Sequence, residues 1–487
     1  MAIWFVCPGW VFRRASIVGL GLSVLISGCA VGPDYQRPLV EVGDEYLHQP
    51  TTADGWKAAS PNDQLGAQDW WQVFKDPTLN TLMQQLRAHN ASLEQSEARY
   101  RQAIATLEAS RAAFFPTLGV EGSVSRSGGG STNTSSTYST SLRAGWEPDI
   151  WGKVRRGTEA SQAEAQATEA DFFAARLSLE AALAQNYFQL KNILASQTLM
   201  DQTIDAYERV YTIVQNRFEV GMVSPRDVAS AKVQLENART QRLALNRQQG
   251  QLHNALAVLT GQPPIRLAPM TLTDWPHLPV VPLSLPSQLL ERRPDVAAAE
   301  RRMQAANAQI GVATAAWFPD LTLSAQGGYR AGAWADWLTA PARFWSLGPA
   351  LALSILDGGA RSARVREAEA RYDAQVSSYR QQVLDALKEV EDSLVQWQGL
   401  QEEMLTQQAA LEAARESQRL MRNQFEAGTE DFLDLAQVET AALSAERATI
   451  SLLSEQYIAA VQLITALGGN WTGLPSEPSG VMLHPAQ

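Results

Sequence analysis

Few side chains in this 487-residue chain are spaced for chemistry. The five histidines, His48, His89, His253, His277 and His484, show no metal-ligand spacing. The chain contains no G-x-x-x-x-G-K-[ST] phosphate loop and no G-x-S-x-G turn for a nucleophilic serine. Carboxylates are plentiful, but they fall along helix-forming stretches as solvated faces do. No enzyme activity, metal or cofactor is therefore expected. What remains is one thiol. Cys29 stands in "LISGCAVGPDYQRP" (25–38), directly after the small residues Ser27 and Gly28. A thiol with small neighbours is open to alkylation, and the bond before it is open to a peptidase.

The residues upstream fit that chemistry. Arg13 and Arg14 supply positive charge, and the twelve residues from Ala15 to Ile26 form an apolar run. That is the layout of a secretory signal, and it is too short to cross a bilayer as a helix. Ile26-Ser27-Gly28-Cys29 resembles a bacterial lipoprotein box, which implies cleavage after residue 28 and a diacylglycerol and an N-acyl chain on Cys29. Several chains on one residue anchor stably where one does so marginally. Ala30, where an aspartate would favour the inner membrane, points to outer-membrane delivery. An ordinary cleaved signal with an incidental cysteine is the alternative. Cys7 leaves with the signal in either case, so no internal disulfide is possible.

Composition narrows the partners. Lys plus Arg number 40 against 51 Asp plus Glu, a net charge of −11. Phosphate binding relies on basic surface, so nucleic acid is excluded as a partner. No later stretch has eighteen consecutive apolar residues, so any membrane crossing falls to strands.

The elements that position these residues are written twice. "AAFFP" (112–116) recurs as "AAWFP" (315–319), 203 residues on, and "NRFEVG" (216–221) recurs as "NQFEAG" (423–428), 207 residues on. Asp227 maps onto Asp434 and Gly261 onto Gly468 with the offset of 207. The drift of four residues implies a small insertion between Pro319 and Phe425. A repeat of this length is a two-copy fold, not a solenoid.

Each copy reads helix, strand pair, very long helix, tip, long helix. Thr78 to Phe115 holds neither Gly nor Pro, and Thr158 to Val220 runs 63 residues without either. At 1.5 Å per residue the second stretch is about 95 Å of helix. Ala360 to Ala427 is similar, with Gly399 its one interruption. Such helices need lateral partners. Ala231, Ala238, Leu245, Leu252 and Leu259 recur by sevens, and Val438, Ala445, Leu452, Ala459 and Ala466 take the same slots, the pattern of supercoiled helices. A filament-like coiled coil is the alternative for this feature alone.

Between the helices residues alternate with period two. Leu118, Val120 and Val124 interleave with Thr117, Gly119, Glu121 and Ser123. Leu321, Leu323 and Ala325 do so in the second copy, as do Leu347, Pro349, Leu351, Leu353 and Ile355. "TYSTSLRAGW" (137–146) alternates more weakly. These are strands with one apolar face. "RSGGGSTNTSST" (126–137) joins the first pair as a loop, and the second connection carries Trp334, Trp337, Phe344 and Trp345, types enriched at membrane interfaces. Four strands cannot close a membrane barrel, and an open edge in lipid strands backbone groups at several kcal/mol each. Copies of the chain must then share one barrel, and three give about twelve strands. A soluble sandwich is the alternative.

The lipoprotein box, "GPDYQRP", the duplicated "FFP" and "WFP" corners and the duplicated "FE-x-G" tips together resemble the outer-membrane factors of tripartite efflux pumps. The likeness is to the NodT and OprM lipoprotein branch of the TolC superfamily, and it covers nearly all of the mature chain. The resemblance implies a mainly α fold with a membrane β-barrel. Each chain would bring four strands and long coiled-coil helices to a homotrimer with a 12-stranded barrel on a 12-helix periplasmic tunnel. The implied partners are outer-membrane lipid, a periplasmic adaptor (membrane fusion protein) and an inner-membrane efflux transporter that supplies the energy. The organisation is then a signal peptide at 1–28 and a lipidated equatorial wrap at 29–77. A first repeat follows at 78–261 with strands near 117–148, then a linker at 262–290. The second repeat is 291–468 with strands near 320–357, and the tail is 469–487.

The resemblance also assigns the tips. "RFEVGMVSPRD" (217–227) and "QFEAGTEDFLD" (424–434) would form the periplasmic end, with Phe218, Gly221, Phe425 and Gly428 as adaptor-contact candidates. Gly221 and Gly428 suit turns that need positive φ. Leu433, Asp434 and Asp227 match gate positions, and three copies of Asp434 around an axis would attract cations. Gln437 stands where a second acid often lies, and Glu430 where some members carry an arginine that ties neighbouring tips. Arg226 and Arg422 are nearby replacements for it. A periplasmic adaptor is the rival reading, but it would carry one helical hairpin and not two full copies.

Overall fold

A computed structural model describes residues 30–38, 46–48, 69–129, 132–271, 274–276, 278–279 and 293–469. The leader, Cys29 and residues 470–487 lie outside these described residues, as does most of the linker after residue 279.

The first copy opens with α1 (Pro77–His89) and α2 (Ala91–Ala112). Asp76 caps α1, accepting from the Thr78 and Leu79 amides at 2.9 and 3.2 Å, with Pro77 in the first turn. Unbroken helix was expected from Thr78 to Phe115, but the chain leaves helical ψ at Asn90. That asparagine accepts from the Leu93 amide at 3.0 Å and donates to the Leu259 carbonyl at 2.8 Å. Local side-chain bonding of this kind competes with helix continuation.

Strands β1 (Thr117–Gly129) and β2 (Thr132–Trp146) follow, then α3 (Lys153–Glu219) and α4 (Pro225–Leu259). The second copy repeats the order with α5 (Pro294–Ala315), β3 (Asp320–Ala331), β4 (Arg343–Ala352), α6 (Ala360–Ala427) and α7 (Phe432–Ala466). Matching helices agree closely in length: 22 residues for α2 and α5, 67 and 68 for α3 and α6, 35 for α4 and α7. Gly399 lies within α6 without ending it, and α3 starts before Gly157. Only two residues separate β1 from β2, so most of the stretch 126–137 expected as a loop is strand, whereas Gly332 to Ala342 joins β3 to β4 through two 3-10 turns, which places the extra residues of the second copy in this hairpin. Strand β4 stops at Ala352, short of the expected 357. Asp357 accepts from the Gly359 and Arg361 amides and so starts α6, with Gly358 and Gly359 at φ 63° and 90°.

Hydrogen bonds to helix-end carbonyls carry the duplication down to single atoms. Asn90 holds the Leu259 carbonyl, and Arg293 holds the Ala466 carbonyl at 3.1 Å, 207 residues later at the acceptor. Gly261 and Gln262 close α4 onto Val258 and Ala257, as Gly468 and Gly469 close α7 onto Thr465 and Ile464.

The chain divides into two compact units. One contains Arg99–Glu169, Ala298–Arg380 and the described residues before Leu39, and it holds the sheet. The sheet is antiparallel in the order β1-β2-β3-β4, so β2 and β3 pair across the two copies while β1 and β4 are edges. Register sorts its two faces. Leu118, Val120 and Val124 oppose Ala144, Leu142 and Tyr138, while Leu321, Leu323 and Ala325 oppose Leu351, Pro349 and Leu347. That face is apolar, yet Leu118, Val120, Leu347 and Leu351 are all at least 69% exposed. The other face holds Glu121 paired with Arg143 at 3.0 Å and Gln326 donating to Ser141 at 3.1 Å.

In the same unit residues 30–38 form a strap. Gly32, at φ 95°, lies so close to α5 that a Cβ there would stand 2.5 Å from the Gly311 Cα. Asn307 donates to the Pro33 carbonyl at 3.0 Å, Arg156 pairs with Asp34 at 2.6 Å, and Arg37 with Glu300 at 3.4 Å.

The second unit is helical and contains Ala170–Ala297, Gln381 onward and the described residues between Val40 and Ala98. Trp70, Trp71, Phe74 and Phe188 are its largest fully buried side chains, and Tyr457 stacks on Phe188 at 4.8 Å. Burial pushes the Tyr457 phenol up to about 12. Its helical seams follow the seven-residue spacing in part. Ala231, Ala238 and Leu245 are buried and Leu252 and Leu259 half-buried, while in α7 Ala459 and Ala466 are buried, Val438, Ala445 and Leu452 are half-buried, and Leu435 and Ala442 take the buried places nearer the tip.

Candidate functional site

Both hairpin tips lie in the helical unit, and the ends of α3, α4, α6 and α7 share one cluster there: Val214, Ala231, Phe425, Phe432, Leu435 and Ala436. Each first helix ends in the same way. The Gly221 amide donates to the Phe218 carbonyl and the Met222 amide to the Arg217 carbonyl, at 2.9 and 2.8 Å. In the second tip Gly428 and Thr429 repeat this on Phe425 and Gln424, both at 3.0 Å. The two glycines sit at φ 78° and 81°, where a side chain is strained.

The starts of the return helices differ. Ser224 and Asp227 form a reciprocal capping box on α4, the Asp227 carboxylate accepting from the Ser224 amide at 2.9 Å and its hydroxyl at 2.8 Å. These bonds, the backbone one foremost, hold the Asp227 carboxyl below its usual range. Within the chain the Asp227 carboxylate serves the first turn of its own helix. In α7 Asp431 takes the capping role for Leu433 and Asp434, at 2.9 and 3.1 Å. The Asp434 side chain is left exposed, with no partner among the described residues, and Leu433 beside it is 52% exposed.

The two phenylalanines, expected to be equivalent contacts, divide. Phe218 is 41% exposed, whereas Phe425 is 2% exposed and belongs to the core of the tip. Arg217 covers the Phe425 ring at 4.6 Å and donates to its carbonyl at 3.0 Å. Arg422 has a partner within its own hairpin. It pairs with Glu439, a buried carboxylate that also accepts from Gln418 at 2.9 Å. Glu439 went unnoticed in the sequence, although an acid between Ala436 and Ala442 on an apolar stripe is a visible signal.

Cys29 lies outside the described residues, and the strap that begins at Ala30 is all that is described near it. Among the described residues the tips supply helix caps, turns and exposed charge.

The sequence profile of the family described as Outer membrane efflux protein matches residues 82–262 and 285–469. The chain is 30% identical over 480 residues to the probable efflux pump outer membrane protein TtgC of Pseudomonas putida, covering 96% of this chain and 98% of that one. It is 28% identical over 453 residues to the cation efflux system protein CusC of Escherichia coli, covering 92% and 97%. Among solved structures, the outer-membrane channel OprN superposes with a TM-score of 0.82 at 31% identity, over 91% of this chain and all of that one. Matched in both copies, at the corners and the tips alike, the chain belongs to the outer membrane efflux protein family.

Proposed function

We propose that this protein is the outer-membrane channel of a tripartite efflux system. It would work as a homotrimer that passively conducts substrates delivered by an inner-membrane transporter through a periplasmic adaptor. The two-faced sheet with unpaired β1 and β4 carries the reading. Its apolar face runs from Trp146 to Tyr138 on β2, about 27 Å of strand, which at the tilt of outer-membrane barrels covers about 20 Å of their ~25 Å apolar band. The polar face becomes the lining of the pore, and each open edge is satisfied by the opposite edge of a neighbour. Lipids on Cys29 anchor the chain beside the barrel. Phe218, Gly221 and Gly428 present the tips to the adaptor, and Asp434 with Leu433 rings the axis at the tunnel end.

Planar-bilayer recordings test the gate. Asp434→Ala is expected to change conductance and lower cation preference, and unaltered values would remove it from the gate. Labelling with radioactive palmitate tests the anchor, and label retained by Cys29→Ser would exclude it.

A further inference from the structure

The chain is acidic overall, with a net charge of −11, but the ends of its hairpins are not. From Gly122 to Trp146 and from Leu321 to Leu356 the charged residues are Arg126, Arg143, Arg330, Arg343 and Asp336. Two of these arginines share the apolar face. Arg126 is two residues beyond Val124 on β1, and Arg343 is two residues before Trp345 on β4, opposite Tyr329. Both are exposed, and neither guanidinium has a hydrogen-bond or ion-pair partner among the described residues. Arg143, by contrast, pairs with Glu121, and Arg330 lies over Phe344 at 4.8 Å, both on the polar face.

Their surroundings mark a lipid boundary. Tyr138, Trp334 and Trp337 meet with ring centroids 4.9 to 6.2 Å apart, and Trp345 is 82% exposed. Aromatic rings with one apolar side and one polar group settle at the headgroup level. The opposite strand ends lead into helices, so the hairpin ends are those farthest from the periplasm under the channel reading, on which this inference rests. A guanidinium among exposed aromatic rings, on the outward apolar face and paired with no described carboxylate, is matched by phosphate, which it binds bidentately.

We infer that Arg126 and Arg343, one on each edge strand of the sheet, each bind a phosphate group of an outer-leaflet lipid on the outer surface of the barrel. The full-length protein in phosphatidylcholine vesicles containing bis-phosphorylated lipid A provides the test, with retained lipid A counted by native mass spectrometry. Replacing both residues (Arg126→Gln with Arg343→Gln) is expected to lower retention about tenfold, the loss of one or two charge-assisted hydrogen bonds. Lysine at both positions should retain more than glutamine, and excess inorganic phosphate should not displace the lipid. Insertion is scored separately, as protein that floats with the vesicles after an alkaline wash. Inserted glutamine variant with undiminished lipid A would show that the arginines are merely solvated and overturn the site. Displacement by inorganic phosphate would make the ligand a free anion and overturn the lipid assignment. A wild type that fails to insert would instead sink the channel reading, and the lipid site with it.

Discussion

Phe218 and Phe425 hold one sequence position in two copies and do opposite things. Phe425→Ala empties a packed cluster and is expected to destabilise the tip by about 3 kcal/mol. Phe218→Ala, at an exposed site, should change stability by no more than ~0.5 kcal/mol. Hydrogen exchange of the α6–α7 turn against the α3–α4 turn reads the difference, and equal effects would contradict the assignment. Asp227 gives a pH signature. Its carboxyl is held below the usual range by the Ser224 bonds, so its support for α4 is complete above about pH 4 and disappears as pH falls through the lowered value. Protection from exchange at the start of α4, taken relative to the intrinsic rate at each pH, should fall on acidification in the wild type, and Asp227→Asn should flatten that dependence. The types of these residues were legible in the sequence, but their exposure was not. Burial depends on which helix crosses the tip, and Phe425 is covered by Arg217 from the other hairpin.

At the scale of elements, period and punctuation located the strands and long helices, because a two-residue alternation and a breaker-free run have few other solutions. They located the ends less well. Asn90 breaks a helix through bonds to Leu93 and Leu259, the second of them 169 residues away, and only the fold brings that acceptor within reach. Gly328 makes a sharper demand. A Cβ there would stand 2.0 Å from the Thr140 carbonyl oxygen, so β2 and β3 approach closely at this point, whereas a Cβ at Gly119 or Gly348 meets nothing within 4 Å. Gly328→Val is expected to abolish the detergent-resistant oligomer, while Gly119→Ala and Gly348→Ala should preserve it. Gel electrophoresis of unheated samples distinguishes the three, and a normal Gly328→Val oligomer would mean that the strands can part without loss.

For the whole molecule the open edges decide the behaviour. Single cysteines on β1 and β4 should cross-link between chains under oxidation and give a ladder ending at three subunits, with Cys29 replaced so that it does not contribute. Cross-links confined to one chain would mean that the sheet closes on itself or faces a soluble core. The seam between β2 and β3 has a consequence of its own. A half-length ancestor with one hairpin would need six molecules to reach the same number of strands, and every junction would form by encounter. Joining two halves through the linker fixes the β2–β3 junction at the high effective concentration of a tether, leaving three junctions to diffusion. The fusion also released the two tips from identity, which is how one could come to carry Val220, Met222 and Val223 where its twin carries Ala427, Thr429 and Glu430.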